Sequence, residues 1–461
     1  MFTFASNIYK NTFQMTHVIK IKKGLNISLS GEAEKNIVSL DIQNFAVKPT
    51  DFIDIFPKLY LKEGATVRAG TALFYDKNHP EFQFVSPVSG VIEEVKRGAK
   101  RKILEIKIKS DGKNESIEFP VKPIASLAKE EIIDTLLKSG TWINIRQRPY
   151  NVIANPKKEA RDIYISTFDT APLAPDYEFL FKNEMEAFQA GIDILSKLTQ
   201  GDVNIGINKA DSIFSNVKNA KIQQFTGAHP AGNVGIQIHN TKPINKGEQI
   251  WVTQIQAVVV IGRLFLTGKY DVRKTIAVTG PEVHNPRYFH ITNGASLSEI
   301  LQKAKIKKEN VRYISGNVLT GEKVEKNGYI GNFHQQITVV PEGNYYEMLG
   351  WAMPRLKKFS FSRSYFSWLM PKRKFSLDTN INGGKRPFVM TGEFEKILPM
   401  DIYPMQLLKA IIVKDLDLME NLGIYEVDEE DFALCEFVDS SKNDIQTIIR
   451  DGLDYVRNEM E

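Results

Sequence analysis

Apolar side chains recur along the chain in two rhythms, and each predicts its own kind of element. In SLAKEEIIDTLLK, residues 126–138, they fall at three- and four-residue spacing behind a serine and early acids, which predicts a helix capped by Ser126. The same rhythm over residues 178–198 predicts one long helix. Alternation marks strands in RDIYIST (161–167), DVNIGIN (202–208) and FHQQITVVPEG (333–343). The last of these is read as closing a small mixed region that also holds a helix at 297–305. The longest apolar run, IQAVVVIGRLFL at 255–266, is β-branched and interrupted by Gln256, Gly262 and Arg263. It reads as a buried strand, and it is too short for a bilayer span, which needs about 20 apolar residues.

Strand, proline-rich loop FDTAPLAPD, helix and strand follow one another between residues 161 and 208, a βαβ order that predicts a Rossmann-like parallel sheet. A dinucleotide site would place G-x-G-x-x-G between that strand and helix, but Asp169, Pro172 and Pro175 stand there instead. Proline removes amide donors that a pyrophosphate needs, so the topology is expected without the nucleotide site. Gly232 and Gly235, in FTGAHPAGNVGIQIHN (225–240), are read as lying between two strands rather than at a helix start. Earlier, EGATVRAG and SPVSGVIEEV within residues 59–108 are turn-and-strand units whose order resembles the biotinyl/lipoyl-like barrel-sandwich domain. Lys77 stands where that family's prosthetic group would attach. The spacing to Ser86, Pro87 and Gly90 is longer than a lipoyl hairpin needs, so Lys77 is read as a surface lysine.

The expected fold class is α+β and multidomain. An N-terminal extension covers 1–17, with Met15 as an alternative start, and a barrel-sandwich domain 18–125. A Rossmann-like domain without fingerprint covers 126–270, a small β-grasp or SLBB-like domain 271–346, and a basic-aromatic segment with a helical domain 347–461.

At 461 residues the chain exceeds one core, in line with roughly three or four domains. A net charge of +5 is too small at this length to argue for nucleic acid. Its distribution says more: cations crowd residues 355–386, and acids crowd 415–439 around EVDEEDFALCEFVD, which points to docking surfaces. The start lacks the long apolar core of a secretory signal. With Cys435 as the single cysteine, no internal disulfide or cysteine-held cluster can form within the chain, and its apolar, acidic neighbourhood predicts a buried, unreactive thiol.

His229 and His239 are two of seven histidines, ten residues apart and without a carboxylate pair or cysteine beside them, which argues against zinc. His284 and His290 have the same weakness. In the 225–240 loop, Gly227, Gly232 and Gly235 permit tight turns and Pro230 fixes a corner, with either histidine tying the loop down. No nucleophile elbow, phosphate loop or acid/base pair occurs at the required spacing. Residues 351–388 gather Arg355, Lys357, Lys358, Arg363, Lys372, Arg373 and Lys374 with Phe359, Phe361, Tyr365, Phe366 and Trp368. Such a set suits a single-stranded nucleic-acid groove, a membrane-edge surface, or a solvated loop over a few buried rings.

Several strings in one order resemble a single family, NqrA, the A subunit of the sodium-translocating NADH:quinone oxidoreductase. They are VIKIKKGLNI, FDTAPLAPD, GAHPAGNVGIQIHN, IGRLFLTG, RYISGNVLTGE and LGIYEVDEEDFALCEFV, from residue 18 to the end. The resemblance implies a peripheral protein on the cytoplasmic face of the bacterial inner membrane, without a transmembrane segment or catalytic residues of its own. It implies the B to F subunits as partners, most directly the membrane-embedded B subunit, in a complex that oxidises NADH, reduces ubiquinone or menaquinone and exports sodium. FAD, FMN and iron centres are expected in those other subunits and none on this chain, with quinone as substrate of the complex. On this reading His229, Pro230, Gly232, Gly235 and His239 form either part of a quinone site or a structural loop. The membrane-proximal contact falls to Arg355, Lys357, Lys358, Phe361, Arg363, Tyr365, Phe366, Trp368, Lys372, Arg373 and Lys374. Two positions depart from the family pattern: Gln237 stands where many relatives have a second histidine, and Asp439 where many have a cysteine. The alternative is an NADH- or flavin-binding input protein like those of complex I or the Rnf complex. A lone Cys435 argues against the cysteine-rich Rnf type.

Overall fold

The computed structural model describes residues 18–460 apart from 346, 351 and 352; the expected extension 1–17, with Met15, lies outside the described residues. The central feature is a seven-stranded sheet in the order Val18–Lys20, Lys221–Thr226, Val203–Ile207, Ile163–Ser166, Ile250–Thr253, Ile145–Arg148, Val152–Ile153. The first five strands are parallel and the last two add antiparallel. The chain steps outward from Ile163–Ser166 and then returns to its other side with Ile250–Thr253, so the order reverses between those two strands. In open α/β sheets that reversal, at the carboxyl ends, is where ligands bind.

The run 255–266, expected as a strand, is the helix Ile255–Thr267, ended by Gly268 in left-handed conformation at φ 71°. Its side chains are buried almost all round, so no amphipathic period shows in the sequence, and tertiary burial overrides β-branched propensity. It packs on Met185–Ser196, and two glycines make the approach possible. A Cβ on Gly262 would overlap the Ala187 carbonyl, and one on Gly191 the Val258 carbonyl. The long helix expected over 178–198 is two helices, Tyr177–Phe181 and Met185–Ser196. Asp176 caps the first through Phe179 N (3.1 Å), and Glu184 at the break pairs with Arg263 of the facing helix (2.5 Å). Ser126 is not a cap: its hydroxyl donates to Pro123 O (2.8 Å), and the helix is Lys129–Lys138.

A six-stranded sheet runs Glu322–Val324, Val311–Ser315, Gln336–Pro341, Arg273–Thr279, Arg287–Thr292, Glu34–Ser39, with Leu297–Ala304 as its helix. Gln336–Pro341 does not close this sheet but lies inside it, parallel to one neighbour and antiparallel to the other, as an almost wholly buried strand must. Two smaller sheets make the barrel-sandwich: Asn44–Val47, Ile103–Ser110, Gly90–Arg97, Thr66–Val67 faces Pro57–Leu59, Ala72–Asp76, Gln83–Val85 across stacked Phe74 and Phe84. Lys77 is exposed at the turn that buried Asp76 shapes by accepting from Phe56 N (2.9 Å) and His79 N (3.1 Å). The strands Val18–Lys20 and Glu34–Ser39, which precede the barrel in sequence, belong to the seven- and six-stranded sheets instead. The C-terminal helices, chiefly Pro404–Ile412, Ala433–Val438 and Ile445–Met460, share one core with Phe225, Ala231 and Ile236.

Candidate functional site

The 225–240 stretch lies at the reversal point. After Lys221–Thr226 the chain turns through His229–Pro230, a cis peptide, and then forms a short helix, Val234–His239. The expectation of a second strand there fails because residues 234–238 are buried on every side, and their alternation reports no sheet. The loop fills the carboxyl end of Ile163–Ser166. Ser166 Oγ donates to Gly232 O (2.8 Å) and accepts from Gln237 Nε2 (2.9 Å), and Gly232 N donates to Thr170 Oγ1 (3.0 Å). Gly232 is required here, since a Cβ would stand 2.8 Å from Thr170 N.

The two histidines are brought to different neighbours. His229 Nδ1 lies 3.1 Å from Thr170 Oγ1, while its Nε2 is buried with no hydrogen-bond partner among the described residues. Burial lowers the ring to about 4, so it is neutral at physiological pH. His239 Nε2 accepts from Asp401 N (2.9 Å), which places its proton on Nδ1 and directs it to Glu426 Oε2 (2.7 Å). It thereby ties the loop to the C-terminal helices.

Behind the loop lies a cluster that sequence reasoning missed. Arg148, at the end of its strand, is buried and reaches Asp428 (3.1 Å), Glu430 (2.6 Å) and Asp431 (3.1 Å). Gly235 makes the room: a Cβ there would overlap Arg148 Nη1 and the Asp431 carboxylate. Asn233 Nδ2 donates to Glu430 O (3.1 Å). Burial pushes the Asp428 carboxyl up, but Arg148, a hydrogen bond from Glu429, Arg146 and Arg450 together outweigh it and hold it down at about 2. Burial and then the Asp428 charge drive Glu429 up, to about 9, and Glu429 hydrogen-bonds Asp428 as the neutral acid. That proton accounts for Asp428 Oδ1 and Glu429 Oε2, each otherwise buried without a partner. Burial also raises Asp431, despite Arg148. Arg148 and the DEED string were both visible as charges, but nothing in the sequence pairs residues 280 or more positions apart.

Burial likewise raises the Cys435 thiol well above its ordinary range, as expected of an inert side chain. Among the described residues no group of three or more His, Cys, Asp or Glu is placed to hold a metal ion.

The second candidate surface is the basic-aromatic segment, whose first ring, Trp351, lies outside the described residues. It is irregular apart from one 3-10 turn, Phe366–Leu369. Glu347 clamps both Arg355 (2.9 Å) and Lys358 (3.0 Å), while Tyr365 is buried and its hydroxyl donates to Gly350 O (3.3 Å). Phe361 packs into the C-terminal core, Arg373 Nη1 lies against the Met370 sulfur and Lys374 pairs with Glu32 (2.8 Å). Lys357, Arg363, Phe366, Trp368 and Lys372 are exposed, with Arg363 over the Trp368 ring at 6.0 Å. Between this segment and Ala433–Val438 opens a groove of about 760 Å³, with Phe359, Phe361 and Phe437 on its walls and Lys358, Arg386 and Lys442 among its polar groups. None of His229, Pro230, Gly232, Gly235 and His239 lines it.

Comparison with known proteins covers most of the chain. Three family models match in sequence order: the NqrA N-terminal barrel-sandwich hybrid domain at residues 19–111, the NqrA second alpha/beta domain at 127–270 and the NQRA C-terminal domain at 275–326. Full-length relatives are similar throughout. The A subunit of the Na(+)-translocating NADH-quinone reductase of Yersinia pestis bv. Antiqua is 35% identical over 449 residues, 96% of this chain and 100% of the relative. Proteins of the same description in Vibrio atlanticus and Neisseria meningitidis are each 36% identical, over 450 and 448 residues, with the same coverage.

Proposed function

The chain belongs to the NqrA family, the A subunits of the Na(+)-translocating NADH-quinone reductase, an enzyme complex of several subunits, and from that premise we propose how it serves the complex. It docks on the membrane subunits, most directly the B subunit, from the cytoplasmic face, and it contributes to quinone access without a redox cofactor of its own. The observation that carries the docking is the stretch 353–374, which holds seven lysines and arginines and no acid, and which leaves Lys357, Arg363, Lys372, Phe366 and Trp368 exposed. No helix among the described residues is long and apolar enough to cross a membrane.

The cofactor-free reading is supported by the reversal point of the parallel sheet. Its carboxyl end is filled by Gly232, Gln237 and Thr170, and the acidic turn of Asp428 to Asp431 stands behind them. The space and the amide donors that a dinucleotide needs are taken by the chain itself. For quinone access, the groove beside Phe359 and Phe437 has ring walls, hydrogen-bond donors in Lys358 and Arg386, and a volume within the range of small-molecule sites.

Charge reversal of Lys357, Arg363 and Lys372 together tests the docking. The expected result is loss of this chain from the purified complex with a matching loss of quinone reduction; intact assembly and activity would remove the proposal. A photoreactive quinone added to the complex is expected to label peptides around Phe359 and Phe437, and labels confined to the other subunits would end the quinone part.

A further inference from the structure

The docking face has a composition that a protein partner does not require and a lipid surface does. Met348, Leu349, Met353, Leu356, Phe366, Trp368 and Leu369 are each 47–78% exposed, a density of bare apolar side chains found nowhere else along the described chain within so short a span. The two turns that carry five of them are drawn together. The Tyr365 hydroxyl bonds Gly350 O, drawing the 348–350 turn beside the Phe366–Leu369 turn, and Glu347 pulls Arg355 and Lys358 back onto the same end. Lys357 and Lys372 make no ion pair among the described residues, and Arg363 meets a ring rather than an acid.

We infer that this patch enters the headgroup layer of an anionic bilayer, with Phe366, Trp368 and Leu369 as the wedge and Lys357, Arg363 and Lys372 as the contacts to lipid phosphates. The inference rests on the proposed membrane-facing docking and adds the lipid that surrounds the membrane subunits as what receives the exposed apolar side chains and free cations of the patch. Three features favour lipid. Exposed Trp, Phe, Leu and Met beside cations is the make-up of side chains that sit at the headgroup level. Arg355, Lys358 and Lys374 are neutralised by Glu347 and Glu32, but Lys357, Arg363 and Lys372 have no ion-pair partner among the described residues, so the exposed charge left on the face is positive and complements a negative surface. The backbone is irregular and the side chains protrude, and a fluid surface needs no matching shape.

The full chain is tested with vesicles of phosphatidylcholine alone and of phosphatidylcholine with phosphatidylglycerol, reading co-sedimentation and tryptophan emission. Three exposed cations lead to a preference for the anionic vesicles of roughly 100-fold at low salt, falling as salt is added. In the Trp351→Phe background, Trp368 emission shifts to the blue, whereas Trp142 and Trp251 are already buried and do not respond. The triple variant Lys357→Glu, Arg363→Glu, Lys372→Glu loses the preference, and Phe366→Ser with Trp368→Ser and Leu369→Ser loses insertion; all six positions are exposed, so folding is unaffected. Absence of binding to anionic vesicles, or binding that survives both variants, overturns the inference. The docking proposal fails separately: vesicle binding together with normal assembly of the charge-reversed chain would sink docking and leave lipid contact standing, and the opposite pair of results would do the reverse.

Discussion

Glu429 is the residue whose chemistry departs furthest from what its position in the sequence suggests. As one of four consecutive acids it reads as solvated charge, yet burial and the neighbouring Asp428 hold its proton to about 9. An acid whose folded value lies above its unfolded one binds more protons folded than unfolded between the two values, so it costs stability as pH rises through that window. Lys274 works in the opposite sense: burial lowers it to about 7, so between there and its ordinary value the unfolded chain binds more protons and stability gains with pH. Replacing Glu429→Gln keeps a donor for Asp428 and removes only the first effect. Urea unfolding at several values between about pH 7 and about pH 8.5 is expected to show the variant gaining on the parent by about 1.4 kcal/mol per pH unit. Parallel stability curves would mean that the proton is not held there. His229, lowered by burial to about 4, acts only on the acid side, where stability falls as pH drops below about 6.5.

Among the elements, the helix Ile255–Thr267 shows where periodicity stops being informative. An amphipathic pattern exists only when one side of an element meets water, as in Leu297–Ala304, which the 3.6-residue rhythm locates closely. Where burial is complete, the residues record volume and shape but not direction, and both 255–266 and 234–239 read as strands for that reason. The glycines at 191 and 262 do carry the information, as two small residues that let helix backbones touch, but they read equally as turn formers until the partner helix is known. Gly262→Ala discriminates. Intrinsic propensity alone would stabilise the helix by about 1 kcal/mol. Overlap with the Ala187 carbonyl predicts instead a loss of about 1–3 kcal/mol, seen as a lower thermal midpoint. A raised midpoint would show that the helices can part without cost.

For the whole molecule the consequence is that chain order and spatial order diverge. Val18–Lys20 and Glu34–Ser39 leave the barrel-sandwich to extend two other sheets, and the C-terminal acids close over Arg148 on a strand nearly three hundred residues earlier. The parallel sheet keeps the layout of a nucleotide-binding fold with its ligand end filled by its own loop and backed by its own carboxylates. The purified chain is therefore expected to show no flavin absorbance band and no saturable NADH binding, and either signal would restore the reading of an electron-input protein. By itself the sequence determined the family, the barrel-sandwich turns, the missing fingerprint at Asp169, Pro172 and Pro175, the cation-rich stretch and the inert Cys435, because each is a local property of neighbouring residues. The tertiary structure alone decided that His239 ties the loop to Glu426, that Gly235 makes room for Arg148 and Asp431, and which cations of the basic segment stay exposed. Those facts depend on long-range pairing, and a buried charge is recognisable only once its counter-charge has been brought to it.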